Sequence, residues 1–255
     1  MGVKWKTKAA PPLVALLALA VLAPSTGAEV SQKRGVRVKV TGSISPKRLP
    51  RTGAAPVTVS VAGKIGSTGS VSSPQLERLS IAINRHGRLS YGGIPVCRLG
   101  KIDPSTTREA LSACRSSLLG EGRFSADVKL PEQSPFPSEG KVLAFNGKIS
   151  GRHAIFAHIY GTKPVPTSYV LPFRVKRGAG TFGTTLEASL PKVTGDWGFV
   201  TGISISLDRP GFLRAACPAP KGFGTVPFPL MRMSFGFAGG LELTSTLNRT
   251  CSPDG

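Results

Sequence analysis

LSIAINRHGRLSYGGIPVCRLGKIDPSTTREALSACRSSLLGEG, residues 79–122, holds an alternating segment, a turn, two of the four cysteines and one helical pattern. Leu79, Ile81 and Ile83 alternate with Ser80, Ala82 and Asn84, the period of two that turns one side of a strand to a core. Asn84-Arg85-His86-Gly87 supplies turn chemistry, with Gly87 free to take a positive φ. Thr106 and Glu109 form a capping box, and Gly120 stands where a helix end would be capped. One short helix is therefore predicted near residues 106–119. Leu111, Cys114 and Leu118 share its apolar face, so a Cys97–Cys114 bond would staple the helix to the preceding strand. No CxxC spacing occurs and no histidine adjoins either cysteine, which favours a structural disulfide over a metal or redox pair.

The alternation runs outward in both directions. Val36, Val38 and Val40 precede Val57, Val59 and Val61; a Gly/Ser-rich loop then leads to Leu79. Beyond Gly122 come Phe124 to Leu130, a Lys141–Phe145 strand running into a predicted Asn146-Gly147 hairpin, HAIFAHIY, and further short alternating runs to Leu247. This spacing predicts an all-β fold, an antiparallel β-sandwich or two packed or duplicated β subdomains. LSIAINRHGRLS from Leu79 and ISISLDRPGFLR from Ile203 share Ser, Ile, Arg, Gly and Leu in matching places, and a cysteine follows each. That echo is compatible with two related hairpins, although alternating strands with a glycine turn also converge easily.

Residues 1–28 read as a signal peptide. Lys4, Lys6 and Lys8 precede a short apolar run and a small-residue end at Ala28, and the run is shorter than the ~20 residues of a membrane span. Residues 29–56 form a basic N-terminal strand and loop, and 57–255 the sandwich domain. Cys97, Cys114, Cys217 and Cys251 all follow the leader, so two disulfides are expected in an oxidising compartment. Proximity favours Cys97–Cys114 and Cys217–Cys251 among three connectivities. The expected location is extracellular or at the cell envelope, with no transmembrane segment once the leader is gone.

Without its three lysines, 30 basic residues face 13 acids, a net charge of +17. Such a field favours polyanions: wall polymers, anionic lipid surfaces, nucleic acid or acidic polysaccharide. Most cations are scattered; the one concentration is Lys33, Arg34, Arg37, Lys39, Lys47, Arg48 and Arg51, the candidate polyanion-binding residues. LPRTG at Leu49–Gly53 matches a wall-sorting pentapeptide but lies far from the C-terminal position such a signal needs, so it is read as coincidence.

The search for chemistry returns no catalytic residue, metal ligand or cofactor motif. His153 and His158 lie five apart on a predicted strand and should face opposite ways. Two S-x-x-K matches lack their companion motifs, and the acids Asp127, Glu187, Asp196, Asp208 and Glu242 read as ion-pair partners rather than a glycosidase pair. Trp197 between glycines is the one candidate ligand-facing aromatic, against the alternative of packing over a sheet edge. Aromatics such as Phe156, Phe173 and Phe182 fall at core spacing, which argues against specific nucleic-acid binding.

The blocks IAINRHGRLS, IPVC, LSAC, LAFNG, AACPAPKGF, MRMSFGF and LNRTC, spread over Leu79 to Cys251, carry a resemblance. The chain resembles a group of uncharacterised secreted, cysteine-containing, β-rich proteins of high-GC Gram-positive bacteria. The resemblance implies export and paired cysteines and transfers no site. The expectation is a secreted, non-enzymatic structural or binding protein of the envelope or matrix, its partners anionic envelope polymers or surface proteins. The alternatives are a hydrolase acting on an envelope polymer and a protein–protein adhesion module.

Overall fold

The computed structural model describes residues 1–2, 27–68, 74–192 and 197–254. Lys4 to Thr26 of the expected leader, the middle of the Gly/Ser-rich loop and Asp196 lie outside the described residues. The alternating runs become strands. β1 (Glu29–Lys33), β2 (Val36–Ser45), β3 (Arg48–Pro50), β4 (Ala55–Pro56) and β5 (Thr58–Ser67) precede β6 (Leu76–Asn84) and β7 (Gly87–Leu89). The helix α1 (Thr107–Cys114) follows, then β8 (Leu118–Val128), β9 (Phe136–Ile149) and β10 (Arg152–Gly161). The remainder is β11 (Thr167–Arg177), β12 (Phe182–Ser189), β13 (Gly198–Leu207), β14 (Leu213–Ala215), β15 (Val226–Phe237) and β16 (Glu242–Asp254).

The fold is all-β with one short helix, as the alternation predicts, but its two layers are parts of one sheet. Thirteen strands run β1-β2-β5-β13-β8-β9-β10-β11-β12-β6-β15-β16-β3, antiparallel throughout except for β3 on β16. The sheet curls until its flanks meet. A Cβ on Gly63 of β5 would lie 3.2 Å from the Phe235 ring of β15, and one on Gly42 of β2 would lie 2.8 Å from Leu247 of β16. Arg249 stitches the seam, its Nε donating to the Gly42 carbonyl at 2.7 Å. Inside lie Val38, Val40, Leu79, Phe235 and Leu247, all at most 2% exposed. Both favoured disulfides are present, Cys97–Cys114 and Cys217–Cys251.

The echo has a structural counterpart. β13 sits between β5 and β8, while β6, which lies between those two in sequence, sits between β12 and β15. The echoing strands have exchanged places. Their continuations then meet: β7 and β14 pair in a small sheet, where Leu89 and Leu213, matching positions of the two segments, are direct partners. The Ser90 amide donates to Phe212 O beside this pair.

Four local expectations are corrected. Glu29 to Arg34, whose composition predicts a loose start to the chain, instead begins with an edge strand, Glu29–Lys33, paired along β2. Gly120 is not a helix cap: α1 ends at Cys114, a 3-10 turn spans Arg115–Ser117, and Gly120 already pairs with Leu207 and Ala144. Asn146-Gly147 is not a hairpin turn. Asn146 is fully buried in β9 and donates to the Ile94 and Pro95 carbonyls at 3.0 and 3.1 Å, while Gly147 leaves room for the Phe156 ring. The turn falls instead at Ser150-Gly151, both at positive φ. Gly87 lacks a positive φ; a Cβ there would sit tightly, 3.0 Å from the Ile83 side chain.

The outer side of β9 and β10 carries a second core. Leu143, Phe145, Ala154 and Phe156 are buried there beneath α1, whose Thr106–Glu109 capping box forms as expected. His158, wholly buried, lies on this side, and Nε2 donates to Ser105 O at 2.9 Å. His153 faces the opposite way and stacks on Tyr91 at 3.8 Å. Burial depresses the His158 pKa, outweighing the Ser105 carbonyl and Asp103, which act to raise it. Burial also lowers His153, helped by Lys148, and His86, helped by Arg85. The unfolded chain therefore takes up protons near 6.5 that the folded chain refuses. Stability should fall as pH drops below about 6.5 and level off once the folded pKa values are passed. Urea midpoints at stepped pH check this; His158→Leu should flatten part of the slope, and an unchanged slope would assign it to the other two histidines.

Candidate functional site

The cap leaves the outer faces on either side of it open. On one side, outward positions of β2, β5, β13, β8 and β9 line a trough of about 1320 Å³. Alternation decides its lining. In β5 the valines and Ile65 turn inward and leave Ser60, Ala62 and Lys64 outside; in β8 Phe124 and Ala126 turn inward and leave Glu121, Arg123 and Ser125. The registers then set side chains in rows. Thr41, Ala62, Ser204, Arg123, Lys141 and Tyr160 stand abreast, flanked by a row of Ser43, Ser60, Ser206 and Glu121. On the other flank are Lys39, Lys64, Gly202, Ser125 and Glu139.

Small side chains keep this floor low. Its hydroxyls are partly tied to one another, Ser60 Oγ to Ser206 Oγ at 2.9 Å and Thr201 Oγ1 to Ser125 Oγ at 3.1 Å. The long cations rise above it. Lys39 is directly opposite Lys64, and Arg123 directly opposite Lys141. Like charges so placed cost roughly a few tenths of a kcal/mol per pair. Glu121 relieves Lys141 with an ion pair at 2.6 Å; among the described residues no ion pair engages Lys39, Lys64 or Arg123.

Of the basic residues singled out in the sequence, the trough takes only some. Arg37 and Lys39 lie on the outward side of β2 beside it, and Lys33 and Arg34 sit at the β1–β2 turn. Lys47, Arg48 and Arg51 lie beyond the other end of β2, about 30 Å along a ten-residue strand. Arg48 pairs with Asp254 at 3.9 Å, and the Arg51 guanidinium donates to the carbonyls of Ala219, Pro220 and Phe223. The LPRTG segment is built into this corner: Leu49 is fully buried and pairs with Pro253. Lys64, Arg123 and Lys141 escaped the sequence reading because they lie on three separate strands, with no other basic residue beside them in sequence.

Trp197 is 44% exposed just before β13, the strand at the trough's centre, and its carbonyl accepts from the Lys129 amide at 2.9 Å. Two residues on, Phe199 carries the Lys129 ammonium 5.1 Å from its ring centre. An aromatic step therefore adjoins one end of the polar floor. The two trough carboxylates, Glu121 and Glu139, are separated by the Arg123–Lys141 row. Four residues of strand rise, about 13 Å, part their backbones.

Burial pushes the Tyr91 phenol up to about 12, and the capping bonds from Thr106 hold Glu109 low. Among the described residues no cluster of three or more His, Cys, Asp or Glu could hold a metal ion. The two disulfides are of the kind typical of extracellular proteins. The chain matches no protein-family model, no curated protein and no solved structure.

Proposed function

We propose that this is a secreted, non-enzymatic binding protein of the cell envelope or extracellular matrix, and that its trough holds a linear anionic polymer. The observation that carries the reading is the pair of opposed like charges, Lys39 with Lys64 and Arg123 with Lys141, over a low hydroxyl floor. A polyanion laid along the strands relieves the Lys39–Lys64 repulsion and supplies Arg123 with the counter-charge that Glu121 gives Lys141, and the small side chains let its groups reach the cations. The resemblance to secreted proteins of high-GC Gram-positive bacteria, the leader pattern and the disulfides support the location.

Binding of the mature chain, Glu29 to Gly255, to isolated envelope fractions over a salt series tests it. Affinity should fall steeply between low and physiological salt, because exposed charges are screened within about 8 Å at 0.15 M. Lys64→Ala with Arg123→Ala should lower low-salt affinity about tenfold or more, a loss of ~1.4 kcal/mol. Binding that ignores salt and this double variant but is lost in Trp197→Ala would replace the charge reading with a shaped aromatic site.

A further inference from the structure

The exchange of β6 and β13 gives the molecule a second face built like the first. β13 carries Ser204 at the centre of the trough; its counterpart β6 carries Ser80 at the centre of the outer face of the other layer. Ser80 stands abreast of Ser234, and Ser234 bonds Thr244 hydroxyl to hydroxyl at 3.0 Å, as Ser60 bonds Ser206 in the trough. Cations again stand over small residues. Arg232 lies opposite Ala82, Arg78 opposite Gly236, and Arg174 and Lys176 stand on β11, one strand beyond β12, all exposed. One carboxylate again ties one lysine, here Glu187 on Lys176. Because Gly63 meets Phe235 across the core, the two layers present these faces in opposite directions.

We propose that the protein is bivalent: each outer face takes one strand of a linear polyanion, and the protein cross-links two strands. This rests on the trough reading, and its occupant follows from the same complementarity of exposed cations and hydroxyls with a chain of repeating anionic groups. A single chain with two opposed sites gains avidity on a polymer mesh without needing a second copy of itself.

The test titrates the mature protein with short oligophosphate, too short to span both faces, and in a second arm with an oligouronate, which separates a phosphate from a carboxylate source. Two oligomers should bind per protein. Lys64→Gln with Arg123→Gln, and separately Arg78→Gln with Arg232→Gln, should each leave one. Long polyphosphate should give turbidity that peaks at an intermediate ratio and clears with excess protein or polymer, and either double variant should abolish the peak while soluble binding persists. Arg174→Gln with Lys176→Gln provides a second variant of the same face should Arg232, which stacks 4.6 Å from the Phe182 ring centre, prove structural. One oligomer per wild-type protein, lost only with the trough variant, overturns bivalency and leaves the trough reading standing. No binding by wild type in either arm overturns both.

Discussion

Alanine at Gly122 is expected to prevent the native fold from forming. A Cβ there would lie 1.8 Å from the Ser204 carbonyl oxygen and 2.8 Å from the Ile205 Cα; at Gly120 it would lie 1.9 Å from the Ser206 oxygen. These obstacles are backbone and cannot swing aside as a side chain would. The only relief is to part β8 from β13 where the exchanged strand enters the sheet. Overpacking that side chains absorb costs roughly 1–3 kcal/mol. Displacing paired backbone belongs in the exceptional class above about 4 kcal/mol, against a total stability of roughly 5–15. Gly92→Ala is the control: nothing lies within 4 Å of its would-be Cβ, and its φ is not positive. Soluble yield and urea unfolding of Gly122→Ala and Gly92→Ala decide the matter. A folded Gly122→Ala with a near-native midpoint would show that β8 and β13 can separate locally at little cost.

The second large effect is expected from the Cys217–Cys251 bond. It closes a separation of 34 residues and ties the loop after β14 to the last strand, with both cysteines at most 1% exposed. Chain-entropy reasoning assigns such a closure about 4 kcal/mol, and the Cys97–Cys114 bond, over 17 residues, about 3. Cys217→Ala with Cys251→Ala should therefore lower the melting temperature by roughly 10 °C. The loss should be global, because β16 holds β3 on one side and β15 on the other. Removing Cys97–Cys114 should act more locally, loosening α1 from the second core and exposing Phe145 and Phe156. Hydrogen exchange distinguishes the two: uniform loss of protection for the first, loss confined to α1 and the outer side of β9 and β10 for the second. Equal, global losses from both would show that the cap is part of the main cooperative unit.

Much of this fold could be read from local pattern. The period-two runs became strands, the Thr106–Glu109 box opened the helix, and neighbouring cysteines paired. What pattern could not supply was strand order. Among the described residues β6 pairs with neither β5 before it nor β8 after it; its registers are with β12 and β15. The site depended on that order, because the cations of the trough converge only when β2, β5, β13, β8 and β9 lie side by side. A run such as Lys33 to Arg51 attracts attention in sequence, yet the strand between divides it. Asn146-Gly147 misled for a related reason. A strong local turn preference yields when a buried amide is needed to bond the Ile94 and Pro95 carbonyls, a demand set by a segment some fifty residues away.

The exchanged strands also set an order of events during synthesis. When residue 161 has been made, the chain holds β5 and β8 but not the strand that belongs between them, and β6 has no partner yet. Two pairs of strand edges must wait, unsatisfied, until β12, β13 and β15 arrive. Neither half can close by itself, so a truncated chain should not be a smaller version of the protein but an aggregation-prone one. The same topology means that no cut between the halves releases a stable fragment, since each half keeps its centre inside the other.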